Sequence, residues 1–424
     1  MSTICGILHV DMSYKPGQKA PFRYLFLDLN AYFASVEQQE RKELRGRPVG
    51  VVQVLADGAC IIAASYEAKR YGVVTGTLVR EAKEICPEIA LVEANHPLYV
   101  KYHERIIEAI ETVVPVEAEC SIDEVRVHLL KSEATREAAL EIALRIKKAI
   151  RERVGECLTC SIGLAPNAFL AKVGTKLQKP DGLVMLLPEE LEERLKGMLL
   201  TDLPGVNRRM VVRLNLAGIY TTTDLLRASQ QELRRAFGSV IGARWWHLLK
   251  GHDIGELETK RQSFGHEHVL PPEYRSRQRS YEVLLRLIEK GSARLRKEGY
   301  SARAVSFRVR GKDGRWETES RFPPSCDTLR FIEVLQKDWK KNPVNQPTMV
   351  SVAFYNLTPS GQLSLFESEN RYESLARAAD KVNQKFGKHK VFPAAIMEAK
   401  ETAPERIGFL KTSLFSEGFG DNAA

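Results

Sequence analysis

The sequence predicts a multidomain α+β protein, and three observations predict it. Residues 22–182 run strand–helix–strand–strand–helix–strand, the order of a split βαβ, ferredoxin-like unit. Residues 188–251 are purely helical in pattern, with short Gly-containing turns. A second, smaller set of helices and strands occupies about 264–356. At about 100–200 residues per domain, the 424 residues make two to four domains with cores of their own.

FRYLFLDL (22–29) is apolar with an acid near its end and reads as a buried strand. NAYFASVEQQERKELRG (30–46) reads as a helix with Asn30 as N-cap. PVGVVQV (48–54) and ACIIAAS (59–65) are β-rich and are separated by Ala-Asp-Gly, a turn signal. YEAKRYGV is a helical turn ended by Gly72, and REAKEICP (80–87) is a short helix stopped by Pro87. Residues 98–115 have helical periodicity, and 116–130 read as two strands reversing near Ser121–Glu124. An amphipathic helix (134–155), a strand (158–165) and a helix ended by Pro-Asp-Gly (167–182) complete the unit. Such a sheet leaves one face open for a site. Residues 252–263 are polar and read as a linker. Then come a helix in SYEVLLRLIEKGSARLRKEG, strands ARAVSFRVRG and RWETESRF, a helix around LRFIEVLQKDWKK and a strand MVSVAFYNL.

With 44% hydrophobic and 28% charged residues, the composition excludes fibrous and disordered classes. No apolar run approaches the roughly 18 residues of a membrane span. The N-terminus lacks the basic start and apolar core of a signal peptide, so a cytoplasmic location is expected. The seven cysteines are scattered and odd in number, which does not suit a disulfide framework. Cys157 and Cys160 form a CxxC without the second pair a zinc site needs, and read as core residues of a strand. Net charge is +9, and it is concentrated: Lys260 to Asn345 holds 20 Lys and Arg against 11 Asp and Glu. That segment carries the whole excess, the footprint of a phosphate-backbone binder.

Asp28 ends the first strand, and Asp123 and Glu124 sit at the reversal of a strand pair. A carboxylate inside an apolar strand is costly to bury without a partner or a metal. Hard cations such as Mg2+ take oxygen ligands and keep open positions for phosphate oxygens. Two such ions can serve a nucleotidyl transfer, activating a hydroxyl and stabilising a leaving group.

LDLNAYFASVE (27–37), SYEAKRYGV (65–73), SIDE (121–124) and AFLAKVGTKLQKPDGL (168–183) resemble, in order and spacing, the motifs of the Y-family DNA polymerases. The likeness spans roughly residues 22–415. It implies a right-hand polymerase with a ferredoxin-like palm (22–30 and 96–187), small fingers (31–95), a helical thumb (188–251) and an α+β little finger (264–361). An N-terminal extension (1–21), a linker (252–263) and a clamp-binding motif with tail (362–424) complete the chain. By the same likeness Asp28, Asp123 and the carbonyl of Leu29 hold metal, and Glu124 is the third catalytic carboxylate. Two Mg2+ ions are implied, with Mn2+ as an alternative. Phe33 matches the residue that stacks under the sugar and excludes ribonucleotides, and Tyr32 precedes it in the nucleotide pocket. Tyr66 and Lys172 match residues that hold the triphosphate. Lys69 stands where the family usually has Arg, so it lacks the bidentate fork, and Arg70 is the neighbouring substitute. After SIDE, Val125-Arg126-Val127-His128 departs from the family's usual run, and Asn30 replaces a frequent Asp.

LTDLPGVNRRMVVRLNLAGIYTTTDLL (200–226) looks like a helix–hairpin–helix. Pro204-Gly205-Val206 would turn amide N–H groups toward a phosphate, with Arg208 and Arg209 beside them. Asn207 replaces the usual second Gly as a residue that tolerates positive φ. In ARAVSFRVRG, alternation places Arg303, Val305, Phe307 and Val309 on one face. Ala304, Ser306, Arg308 and Arg310 take the other, where the arginines could track a DNA backbone without reading bases. Gln362-Leu363-Ser364-Leu365-Phe366 matches the short peptide with which bacterial polymerases bind the sliding clamp, an extended polar–apolar motif. Its internal placement resembles polymerase V, whereas the fingers look closer to polymerase IV. The implied partners are primer-template DNA, deoxynucleoside triphosphates, the clamp and accessory mutagenesis subunits, with the chain itself a monomer. The expected activity is low-fidelity translesion synthesis. Two rivals stand beside it. A catalytically dead relative serving as a clamp-tethered scaffold would have lost the acids that this chain keeps. A nucleotide cyclase explains the acids but not the hairpin, the basic unit or the clamp peptide.

Overall fold

Alternation along one strand organises the first half of the chain. In β1 (Tyr24–Leu29), Leu25, Leu27 and Leu29 point into one core while Phe26 points into another. The computed structural model describes residues 21–255, 257, 261–360, 367–387 and 390–403. Those residues form two units, one ending at 255 and one beginning at 257.

In the first unit the chain runs from β1 into α1 (Tyr32–Glu40) and then into β2 (Val49–Val52), β3 (Ile61–Ala64), α2 (Tyr66–Arg70), α3 (Val79–Ile85) and β4 (Ala90–Glu93). Strands β2, β3 and β4 form a separate small sheet in the order β3-β2-β4. Next come α4 (His96–Glu111), β5 (Ala118–Glu119), β6 (Glu124–His128), α5 (Arg136–Arg153), β7 (Cys160–Ala165), α6 (Ala168–Leu177) and β8 (Leu183–Met185). The main sheet has the order β5-β6-β1-β7-β8. β1 lies between β6 and β7, antiparallel to both. The interior residues of α4 and α5 pack on one face with Leu25, Leu27, Val125 and Val127.

The expected open face is partly covered. α6 packs across β1, β7 and β8. Its approach is so close that a Cβ on Gly163 would lie 1.9 Å from the carbonyl oxygen of Ala171. The site is therefore confined to the strand ends. A helical segment follows, with α7 (Leu191–Arg194), α8 (Arg208–Leu216), α9 (Thr222–Arg227), α10 (Gln230–Phe237) and α11 (Val240–Leu249). Its core of Leu203, Val206, Leu214, Phe237 and Trp245 is continuous with that of α6.

The departure after Glu124 costs nothing in packing. Val125 and Val127 are buried in the core, while Arg126 and His128 face the other way. Arg126 Nε lies 2.8 Å from Glu117, and the His128 ring meets Tyr24 edge-on at 5.0 Å. The four residues are an ordinary in–out strand.

The second unit contains β9 (Ser263–Val269), α12 (Arg277–Lys297), β10 (Tyr300–Gly311), β11 (Gly314–Ser325), α13 (Thr328–Trp339), β12 (Pro347–Tyr355) and α14 (Glu367–Phe386). Its sheet runs β11-β10-β12-β9, backed by α12 and α13 over Val305, Phe307, Phe331 and Phe354. Ser263 already belongs to β9, so the expected linker is shorter than 252–263. α14, β9 and the short strands β4 and β8 have no counterpart in the elements expected from sequence. The QLSLF peptide, 362–366, lies outside the described residues, as do 1–20 and 404–424.

Candidate active site

Three acids come together because two strands share a register. Asp28 and Glu124 are direct cross-strand partners in β1 and β6, and Asp123 immediately precedes β6. The Leu29 amide donates to the Asp123 carbonyl at 2.8 Å, tying the reversal to the end of β1. Ser121 Oγ donates to Asp123 Oδ1 at 2.5 Å. Burial, first of all, raises the pKa of Asp28; Asp123 and Glu124 push it the same way, while Lys179 opposes. Burial raises that of Asp123 too, with Glu124 adding to it.

Each outer carboxylate holds a lysine. Lys179 Nζ lies 2.5 Å from Asp28 Oδ1, and Lys172 Nζ lies 2.7 Å from Glu124 Oε2. Lys172 also sits over the Phe26 ring at 5.2 Å. Two further lysines lie close by. Burial lowers the pKa of Lys69, and repulsion from Lys179 lowers it further. Lys176 is lowered by burial and then by Lys172 and Lys179. Lys179 and Lys176 belong to the motif AFLAKVGTKLQKPDGL, beyond the Lys172 that the resemblance points to. The signal was their spacing from Lys172: Lys176 is one helical turn further on, and Lys179 follows at the loop.

Tyr66 and Lys69 are placed as a pair, with the Lys69 Nζ 4.3 Å from the Tyr66 ring centre. Burial, then the nearby Asp28, pushes the Tyr66 hydroxyl up to about 12. Ser65 caps α2 by accepting from the Ala68 amide, which fixes the start of this short helix. Arg70 is exposed at the end of the same helix.

Asn30 is not the N-cap of α1. That position falls to Ala31, at φ 49°, a left-handed conformation that costs a non-glycine residue about 1–3 kcal/mol. Asn30 is instead buried as a cross-link: its Nδ2 donates to Ser161 Oγ, and its Oδ1 accepts from Thr159 Oγ1 and the Asp181 amide. The turn at Ala31 brings Tyr32 and Phe33 back beside the strand ends. Phe33 stacks on Tyr99 of α4, with centroids 4.3 Å apart and rings inclined by 13°. Tyr32 is buried, and its hydroxyl donates to the Tyr99 carbonyl at 2.6 Å.

In the helical segment, Gly205 adopts φ 87° at an exposed turn, Val206 is buried beneath it, and Arg208 and Arg209 are exposed at the start of α8. Asn207 does not adopt positive φ. It has φ −98° and caps α8, accepting from the Met210 amide at 2.9 Å. In the second unit, Arg303 sits at a register shift of β10 and is exposed, so it leaves the buried row of Val305, Phe307 and Val309. Arg308 is paired with Glu317 at 2.6 Å, while Arg310 is exposed.

Residues 27–176 match the impB/mucB/samB family, 261–365 match its C-terminal domain, and 201–253 match the DNA polymerase-iota thumb domain. The DNA polymerase IV of Pelotomaculum thermopropionicum is 32% identical over 91% of this chain and 98% of its own. That of Moorella thermoacetica is 32% identical over 87% and 95%. The chain belongs to the Y-family of DNA polymerases. Among solved structures, a Y-family polymerase chimera has the same fold, with TM-score 0.65 at 24% identity over 80% of this chain and 99% of that one. An insertion ternary complex of Dbh DNA polymerase is similar at TM-score 0.52 and 23% identity, again over 80% and 99%. This Y-family chain is of the polymerase IV type by its relatives and is a DNA polymerase. No helix among its described residues is long and apolar enough to cross a membrane.

The acids of this polymerase offer oxygen donors suited to a hard divalent cation; burial raises the pKa of Asp28 and Asp123, and the neighbouring acids add to it. Among the described residues no three His, Cys, Asp or Glu side chains converge into a ready-made cage, and Asp28 and Glu124 each turn onto a lysine. Lys69, Lys172, Lys176 and Lys179 thus lie beside Asp28, Asp123 and Glu124, four positive side chains beside three negative ones.

Proposed function

We propose that this polymerase carries out low-fidelity translesion synthesis by two-metal nucleotidyl transfer. The observation that supports it most is the cross-strand pair Asp28–Glu124, with Lys179 and Lys172 on its two carboxylates. Asp28, Asp123, Glu124 and the carbonyl of Leu29 would hold two Mg2+ ions, or Mn2+. When bound, such ions activate a primer 3′ hydroxyl and neutralise a leaving pyrophosphate.

The remaining work falls to the chain's own side chains. Lys179 and Lys172 lie where an incoming triphosphate would displace them from the carboxylates and take their charge. Tyr66 and Lys69 bind further phosphate oxygens, with Arg70 at the rim. Phe33, held flat by Tyr99, closes the space below the sugar and excludes a 2′-hydroxyl, and Tyr32 fixes that wall. The domain limits read from sequence give the working partition into palm, fingers, thumb and little finger.

The duplex would be held at Pro204-Gly205-Val206 and by Arg208 and Arg209 through a backbone phosphate. Arg310 and Arg308 would supply contacts from the second unit, Arg308 only after leaving Glu317. Gln362, Leu363, Leu365 and Phe366 would bind the sliding clamp. Primer extension over an undamaged and an abasic template, with the Asp123→Ala variant as control, tests the reading. No metal-dependent extension on either template would reject it.

A further inference from the structure

α4 carries a second anchor one turn beyond Tyr99. His103 is buried, with 3% of its side chain exposed. Its Nδ1 lies 2.9 Å from the carbonyl oxygen of Ile122, and its Nε2 lies 2.8 Å from Glu119 Oε2. A carbonyl oxygen only accepts, so Nδ1 donates. Nε2 faces the Glu119 carboxylate. The ring thus spans the reversal from β5 to Ile122, the residue before Asp123. None of the sequence motifs includes it.

Ser121, Ile122 and Asp123 stand between two short strands, and β5 has only two residues. Within the turn, Cys120 and Ser121 donate to the Glu124 carbonyl and the Glu124 amide donates back to Ser121, while the Leu29 amide holds the Asp123 carbonyl from β1; none of these bonds reaches Ile122. Residues i and i+4 share a helix face, so Tyr99 and His103 brace the two halves of the site from one rigid element. Tyr99 supports Phe33 and Tyr32, and His103 supports the turn bearing Asp123.

We propose that His103 is a positioning residue that sets Asp123 for metal binding through the Ile122 carbonyl, with Glu119 fixing the ring. The proposal rests on the reading of Asp123 as a metal ligand. Residues that orient metal ligands without touching the metal typically account for about 10- to 100-fold in affinity.

The test uses full-length protein without DNA or nucleotide. Mn2+ binding is followed by electron paramagnetic resonance, and hydrogen exchange is followed at residues 119–124. His103→Gln, which cannot span both acceptors, is expected to weaken Mn2+ binding about 10-fold and to speed exchange at Asp123 and Glu124. Glu119→Gln shifts both in the same direction by less, because the Ile122 bond remains. The double variant is no worse than His103→Gln alone. Ile106→Val, a buried change three residues along α4, lowers the melting temperature but leaves Mn2+ affinity unchanged. Wild-type Mn2+ affinity and exchange in His103→Gln overturn the proposal. Asp123→Asn separates the two ideas: if it binds Mn2+ like wild type, the metal reading of Asp123 itself fails.

Discussion

Lys179 reaches back across the fold to place its ammonium 2.5 Å from Asp28, the acid that ends the first strand. The loop that carries it is held from two sides. Asn30 accepts from the Asp181 amide, and Lys147 bonds both the carbonyl and the carboxylate of Asp181. The lysine is therefore presented to the site rather than free to wander. Lys179→Met should lower kcat/KM for the incoming nucleotide by about 10- to 100-fold, the loss of one charge-assisted bond worth roughly 1.5–3 kcal/mol. Steady-state single-nucleotide insertion measures this. An unchanged kcat/KM would reduce Lys179 to a counter-ion of Asp28.

Phe33 is braced before any sugar arrives, since its ring lies flat on Tyr99. Phe33→Ala should raise ribonucleotide insertion relative to deoxynucleotide. The gain should be about 10- to 200-fold, the range for one small group against an apolar wall. The ratio of insertion efficiencies for paired ribo- and deoxynucleotides is the measurement. Unchanged sugar selection in an active variant would move the gate elsewhere.

How legible the site was depended on how local its causes are. Asp28, Asp123 and Glu124 could be read because strand alternation and a tight reversal are written in a few adjacent residues. Lys179 could not be chosen over Lys172, since the choice depends on where a loop after α6 returns. Asn30 shows the same limit. Its short side chain at a helix start signals a cap, but its partners are 129 to 151 residues away. The Val125–His128 run looked like a disturbance when compared with relatives, yet its own in–out pattern was sufficient. The short strands β4 and β8 have too few residues for periodicity to show.

Glu37 is a buried carboxylate on α1, taking a hydrogen bond from Tyr99 at 2.7 Å and facing Arg41 at 3.4 Å. Burial raises its pKa, and Tyr99 and then Arg41 only partly offset this. A carboxylate with a raised folded-state pKa binds its proton more readily folded than unfolded. It therefore costs stability above the folded pKa, and the cost disappears as pH falls below the unfolded value. Glu37→Gln keeps an acceptor for Tyr99 and removes the charge. It should melt higher than wild type at pH 8, with the difference closing towards pH 4. Thermal unfolding across that range checks the sign, and a wild-type advantage at pH 8 would show that Arg41 outweighs burial.

Leu365 and Phe366 are the apolar end of the QLSLF peptide. Replacing both with Ala should abolish stimulation by a sliding clamp while leaving distributive extension on short primers unchanged. Extension with and without clamp separates the two. Loss of basal activity, or retained stimulation, would remove this segment from clamp binding.

Arg296 ties α14 to the rest of the second unit. Its guanidinium grips Asp380 through two bonds, of 2.6 and 2.9 Å, and also donates to the Cys326 carbonyl and Thr328 Oγ1. Only 5% of the Arg296 side chain is exposed, against 34% for Asp380. Asp380→Ala strands a buried charge, whereas removing both charges does not. The single variant should lose about 2–3 kcal/mol, in the range for hydrogen bonds to charged groups. Arg296→Met with Asp380→Leu should recover most of it. Hydrogen exchange along Glu367–Phe386 reports the effect directly, because the helix must loosen in the single variant and tighten in the double. If α14 stays equally protected in the single variant, its apolar contacts alone hold it, and the ion pair is dispensable.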